Sequence, residues 1–317
     1  VNKLKTLLKK LGYVPTPFYK LRSPCIQCIA RVLSKNAPKI SKVLFYSIAG
    51  LEWCGFVSSR VKELLARMSV EEKVAQLMSV PVDRLVDGRA FSEEKARQIL
   101  RHGIGEITRV GGSGLGFSPG EAARIANQVQ RFLVEKTRLG IPAIIREECL
   151  AGLLAPTATA FPQAIALAST WNPELVHRVA SAIRQQVLSI GSRHRLSPVL
   201  DLCRDPRWGR CEETYGEDPY LVASICLVYV SGLQGEDLRR GVVATTKHFA
   251  GHGFPEGGRN IAQVHLGLRE LLEQHLYTFE VAIRVGRAQA VMPVYHEIDG
   301  VPCHANKWLL TDVLRNQ

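Results

Sequence analysis

Leu196-Ser-Pro-Val-Leu-Asp-Leu-Cys-Arg-Asp-Pro-Arg-Trp-Gly-Arg210 joins a short apolar segment, Leu196 to Leu200, directly to a run bearing Asp201, Arg204, Asp205, Arg207 and Arg210. An apolar strand that ends in a dense patch of ionisable groups is expected of a parallel barrel, whose chemistry gathers at the carboxyl ends of several strands. Working outward, four more short apolar segments read as strands: Ile104 to Val110, Ile141 to Ile145, Val242 to Thr245 and Ala288 to Val294. Glu147-Glu148 follow the second of the five in chain order, Lys247-His248 the fourth and Tyr295-His296-Glu297 the fifth. Four successive strand ends therefore carry ionisable clusters. Helical patterns fill the gaps, which implies βαβ units and a parallel sheet. Periodicity alone fits an open doubly wound sheet as well as a barrel. The polar strand ends select an α/β, (β/α)8 TIM-barrel-like fold, incomplete at about five of its eight βα units.

The helices carry their own start signals. Ser69 with Glu72 three residues later is a capping box, opening a helix predicted to bury Val74, Leu77 and Met78. Asn172-Pro173 starts another that runs through Leu175, Val179, Ile183 and Val187 to Gly191, and Asp218-Pro219 starts a third in the same way. A fourth, from about Leu268, is predicted to bury Leu271, Leu272, Leu276, Phe279 and Ile283 and to stop at Gly286. Residues 1–59 show no such periodicity. They mix Lys and Pro with apolar runs and stand apart as a basic extension, leaving 60–317 as the barrel domain.

The net charge of +12 is unevenly spread. Residues 1–60 hold 11 Lys and Arg against Glu52, and the rest of the chain holds 30 basic against 28 acidic residues. Nucleic-acid binding therefore has support only from the leader, and no recognised binding motif accompanies it. No window approaches the roughly 18 unbroken apolar residues of a membrane span. The eight cysteines are scattered rather than arranged as a framework, which favours reduced thiols and the cytoplasm over secretion. Cys25 and Cys28 form a CxxC without a second pair, and Cys54 stands alone, so no metal site is expected there.

Two other motifs fail on spacing. Gly111-Gly-Ser-Gly-Leu-Gly116 follows a strand, but Phe117 stands where a dinucleotide fingerprint needs glycine, and Leu115 breaks a nucleophile elbow around Ser113. A flexible βα loop is the expectation. His248 and His252 are four apart, yet Gly251 and Gly253-Phe-Pro255 argue for a loop rather than a metal-binding helix, leaving His248 a hydrogen-bonding role. Within 201–210 most charges are expected to pair with one another and support one substrate-facing arginine.

Six segments together resemble glycoside hydrolase family 3. They are Val61 to Met78, Gly140-Ile-Pro to Gly152, Phe161-Pro-Gln-Ala-Ile-Ala-Leu-Ala-Ser-Thr-Trp-Asn-Pro-Glu-Leu175, the block Leu200 to Tyr220, Lys247-His-Phe-Ala-Gly-His-Gly253, and Met292-Pro-Val-Tyr-His-Glu-Ile-Asp-Gly-Val-Pro302. The resemblance covers about residues 60–317 in order. It implies hydrolysis of a terminal, non-reducing β-linked sugar through a covalent glycosyl-enzyme, with two carboxylates sharing the work. Carried over motif by motif, Glu148 is the acid that grips sugar hydroxyls and Arg210 the guanidinium below the ring. Lys247 and His248 are the pair that bonds equatorial hydroxyls, Tyr295 lies beside the nucleophile, and Met292 walls the same pocket. A pyranose offers vicinal hydroxyls, and groups of these types converging from several strand ends are what would clamp them.

The same resemblance places the nucleophilic Asp after the next strand, past Leu314-Arg315, and the acid/base later still. Both are expected beyond Gln317, so the chain is read as an inactive fragment with no catalytic carboxylate of its own. The expected substrate is a small oligosaccharide or aryl glycoside, β-xyloside ahead of β-glucoside, with no cofactor, no metal, no nucleic acid and no membrane. The missing C-terminal half as a separate chain is the one protein partner considered. Rival readings are a non-catalytic sugar-binding remnant and nucleic-acid binding through the leader.

Overall fold

The computed structural model describes residues 59–316, so the leader and its Cys25, Cys28 and Cys54 lie outside the described residues. The unit that carries the site spans Glu63–Gln317. Its centre is a parallel sheet of six strands: β1 (Ser79–Pro81), β2 (Glu106–Thr108), β3 (Ile144–Glu147), β4 (His194–Arg195), β5 (Val243–Phe249) and β6 (Ala290–Pro293). They pair in chain order, each ladder parallel. The sheet curls into part of a barrel wall, with helices between successive strands, as the polar strand ends imply.

Three details differ from the expectation. The sheet has six strands rather than five, because β1 is only three residues long, ends in proline and buries only Val80. Its apolar neighbours Leu77 and Met78 read as part of the preceding helix, so no separate strand segment stands out. Strand β4 lies at 194–195, just before the apolar Leu196 to Leu200. Pro198 has no N–H to give to a ladder, and pairing resumes only at Val199, where Lys247 N donates to Pro198 O (3.2 Å) and Leu200 N to Lys247 O (2.6 Å). Strand β5 runs four residues past Thr245, so Lys247 and His248 lie inside the strand.

Helices α1 (Ser59–Arg67) and α2 (Val70–Gln76) lead into β1, and α2 has the expected reciprocal capping box between Ser69 and Glu72. The burial expected of α2 is wrong. Val74, Leu77 and Met78 are exposed, Leu77 at 86%, whereas Glu72 is buried against Arg138. Helix α2 has only seven residues and Leu77 caps its end, so its apolar side chains point away from the neighbours that its one ion pair secures.

Between β1 and β3 lie α3 (Glu93–Ile99) and α4 (Pro119–Lys136). Helix α5 (Pro173–Ser189) starts on the Asn172 cap and buries Val176, Val179, Ala180, Ile183 and Val187, with Leu175 half-buried. Helix α6 (Pro219–Gln234) starts on Asp218 and packs on α5 so closely that a Cβ on Gly232 would meet Ala180 Cβ and His177 O at 2.7 Å. Helix α7 (268–285) alternates α and π turns and buries Leu271, Leu276 and Phe279, with Leu272 and Ile283 half-buried. No helix among the described residues is long and apolar enough to cross a membrane.

Candidate active site

All but one of the six predicted residues sit within two residues of a strand's carboxyl end or in the strand itself; Arg210 lies on the loop after β4. Glu148 follows β3 and receives a bond from Lys247 Nζ on β5, at 3.3 Å to Oε2. Lys247 is 4% exposed, so its ammonium is held beside this carboxylate with little access to water. The other oxygen of Glu148 faces Arg109 Nη2 at 3.5 Å. Arg109 directly follows β2, a strand end absent from the predicted set.

His248 and Arg210 form a second group. Arg210 forks onto Glu213, with Nε and Nη2 each 2.9 Å from a carboxylate oxygen, and Nη2 also lies 3.0 Å from His248 Nε2. A guanidinium only donates, so Nε2 accepts. The imidazole proton is then on Nδ1 and donates to Asp201 Oδ2 at 2.7 Å, and the backbone N–H of His248 meets the same carboxylate. Burial opposes ionisation of Asp201, but His248 outweighs it and leaves the carboxyl below its usual range. His248 is fully buried with both ring nitrogens engaged. Any sugar hydroxyl reaching it would share Nε2 with Arg210.

The 201–211 loop is fixed by several independent ties. Asp205 takes the Arg207 side chain, Arg204 donates to Gln274, and Trp208, buried, donates from Nε1 to Asn260 Oδ1 (2.9 Å) beneath the Arg210 guanidinium. The N–H groups of Arg204 and Asp205 donate to Gly253 O, and a Cβ at Gly253 (φ +116°) would collide with Leu202 O at 1.9 Å. Cys203 and Cys211 form a disulfide. This corrects the expectation of reduced thiols: the loop folds back until the two Cα atoms are 5.5 Å apart, a bridging distance that scattered positions in the sequence do not reveal.

Tyr295 follows β6, half exposed, with its ring 5.4 Å from that of His248 and 6.0 Å from the Arg210 guanidinium carbon. Met292 lies in β6, half-buried, in register with Lys247. His252 turns aside: its Nε2 lies 3.0 Å from Asn260 Oδ1, it packs edge-on to Trp208, and burial pushes its pKa down to about 3. Among the described residues no group of His, Cys, Asp and Glu has metal-holding geometry. A cavity of about 500 Å³ lies next door, between 204–207 and 254–257, and shares no residue with the predicted six. The charged groups of the predicted set converge at the strand ends, outside this cavity.

A profile of the glycosyl hydrolase family 3 N terminal domain matches residues 69–317. The chain belongs to glycosyl hydrolase family 3. A putative β-xylosidase of Formosa agariphila is 35% identical over 269 residues, covering 82% of this chain and 35% of that protein. A probable β-glucosidase C of Aspergillus flavus is 32% identical over 285 residues, covering 82% of this chain and 44% of that protein. A solved β-glucosidase from Erythrobacter marinus superposes with a TM-score of 0.74 at 39% identity, over 81% of this chain and 34% of that one. The chain thus spans less than half the length of these relatives.

In this family 3 chain, the roles of two residues escaped the sequence, although Glu147 was counted among the ionisable strand ends. One is Arg109. The other is Glu147, buried below Glu148, whose carboxylate accepts from the amides of Gly111 (2.6 Å) and Gly112 (3.2 Å). The glycine-rich loop, expected to be flexible, is tied to the strand end by this clamp. Burial nevertheless raises the Glu147 carboxyl above its usual range, the Gly111 amide opposing it. The bare Gly-Gly pair after β2 was the available signal, since a Cβ at Gly111 would meet Ile190 Cδ1 at 2.9 Å and one at Gly112 would meet Glu147 Oε2 at 3.2 Å.

Proposed function

We propose that this chain forms the sugar-holding part of a retaining β-glycosidase site that takes the terminal residue of a small oligosaccharide or aryl glycoside, xylose ahead of glucose. The observation that carries it is Glu148 on the buried Lys247 beside the Arg210–His248–Asp201 chain. Carboxylate, ammonium and guanidinium groups on adjacent strand ends match the acceptor and donor pattern of vicinal hydroxyls. The relatives include both a putative β-xylosidase and a probable β-glucosidase. Glutamate is one methylene longer than aspartate, so the Glu148 carboxylate reaches toward the space a hexose's CH₂OH would need. Crowding there costs about 1–3 kcal/mol, enough to bias but not fix the choice of sugar.

Four carboxylates around this pocket are engaged: Glu148 by Lys247, Asp201 by His248, Glu213 by Arg210 and Glu147 by two amides. We propose that the 317 residues bind without turning over, the reaction needing carboxylates from a longer protein. The Cys203–Cys211 bridge favours an oxidising compartment for that protein. The test is kcat/KM on aryl β-xyloside and aryl β-glucoside for the full protein that carries this domain, with Glu148→Asp beside it. A xyloside preference that narrows in the variant supports the proposal. A glucoside preference, or a ratio the substitution leaves unmoved, contradicts it.

A further inference from the structure

We propose that Arg109 touches the bound sugar and, together with Glu148, sets a preference for a pentopyranose over a hexopyranose. This deepens the sugar-site reading above and rests on it.

Arg109 occupies on β2 the position that Glu148 occupies one residue later on the neighbouring β3: Thr108 pairs with Arg146, and Arg109 N donates to Arg146 O at 2.8 Å. Both partners of the Arg109–Glu148 pair sit at left-handed turns. Arg109 itself has φ +59°, and Cys149, directly after Glu148, has φ +57°. Non-glycine residues avoid this region, and such conformations gather at ligand-binding sites when the surrounding structure holds them. An ion pair with the guanidinium 58% exposed and 3.5 Å from its acceptor contributes little to stability, so fold stability does not explain the arrangement.

The chemistry points to the sugar. Glu148 is held from below by Lys247, which is buried and fixed, and from the rim by Arg109, which is open to solvent. A guanidinium has five N–H donors in a planar fork, and among the described residues Glu148 is the only acceptor that Arg109 reaches with its side chain. The unused donors lie beside the carboxylate that accepts sugar hydroxyls. A pyranose gripped by Glu148 therefore meets Arg109 with the same edge. Having the long glutamate and a guanidinium on that edge leaves room for a ring CH₂ and little for an exocyclic CH₂OH.

The experiment is direct titration of the 317-residue chain with D-xylose and with D-glucose by calorimetry, for the parent, Arg109→Met and Arg109→Lys, with melting temperatures recorded in parallel. Binding is the readout, so no catalytic group outside the chain is needed. We expect tighter binding of xylose than glucose by the parent. Arg109→Met should weaken xylose about 10-fold and glucose less, moving the ratio toward one, within the range that a single contact discriminates. Arg109→Lys, which keeps the charge and loses the fork, should fall between, and the melting temperature should hold. Unchanged affinities in Arg109→Met, or equal losses for both sugars, overturn the specificity role while leaving the sugar site standing. A parent that binds glucose more tightly, with a ratio still sensitive to Arg109, overturns the pentose assignment but keeps Arg109 as a determinant. A parent that binds neither sugar overturns the site reading and this inference with it.

Discussion

Asp201 gives the site its order at the level of single residues, since it fixes the His248 tautomer that in turn presents Nε2 to Arg210. Its two oxygens receive the ring N–H and the backbone N–H of His248. An amide at this position would keep one acceptor oxygen for the two His248 donors but put an NH2 donor in place of the other oxygen, facing the His248 N–H. Asp201→Asn should therefore destabilise the protein by about 1–3 kcal/mol, the cost of an unsatisfied buried donor, read from the urea midpoint. An unchanged midpoint would show that His248 finds another acceptor. Glu148, Lys247 and His248 were legible as ionisable groups next to apolar runs, whereas Arg210 and Met292 were singled out only by the family motifs. Arg109 was not legible because it lies at the end of the run Ile104 to Val110, where a single arginine looks like the solvated edge of a strand. Only the left-handed turn and the distance to Glu148 reveal it.

Secondary-structure elements add the ties that hold these side chains. The Cys203–Cys211 disulfide closes an eight-residue separation on the loop bearing Arg210, worth about 2–3 kcal/mol in a chain-entropy view. Alkylation followed by mass mapping should label Cys203 and Cys211 only after reduction, and labelling of both in the untreated native protein would contradict the bridge. In α2 the capping box was legible from Ser69 and Glu72, but the partner of Glu72 was not, since Arg138 is 66 residues away. The Arg138 hydrogen bonds, then the Ser69 amide, hold Glu72 down to about 2 from 4.5. A carboxyl depressed in the fold stabilises it above the unfolded value, and that contribution is lost as pH falls from 4.5 through about 2. Arg138→Ala should raise the pH of acid unfolding; an unshifted acid transition would show that the pair is idle.

For the whole molecule, the parallel order of the sheet followed from alternating apolar and helical patterns, whereas β1 did not, because Leu77 and Met78 before it read as helix and Pro81 ends it. The buried histidines should make the fold sensitive to acid. Burial pushes His252 to about 3 and His275 to about 4, both from 6.5. The unfolded chain binds these protons first, so stability is full above 6.5 and falls as pH drops toward 4, by about 1.4 kcal/mol per pH unit for each histidine. Urea midpoints at pH 7, 6 and 5 should decline accordingly, and His252→Asn should flatten the decline; a level profile in the parent would contradict the burial. Among the described residues, exposed Leu65, Val70, Val74, Leu77 and Met78, with the outer edges of β1 and β6, present apolar and unpaired surface, so the chain should enhance the fluorescence of a hydrophobic dye. Dye fluorescence no greater than that of a compact control protein would show that this surface is covered. The most direct measurement of where the sugar sits is a crystal structure of the 317-residue chain soaked with D-xylose. The pyranose is expected between Glu148, Lys247 and Arg210 with Tyr295 at its side, and a sugar found instead in the cavity between 204–207 and 254–257, with the strand ends empty, would contradict the assignment of the site.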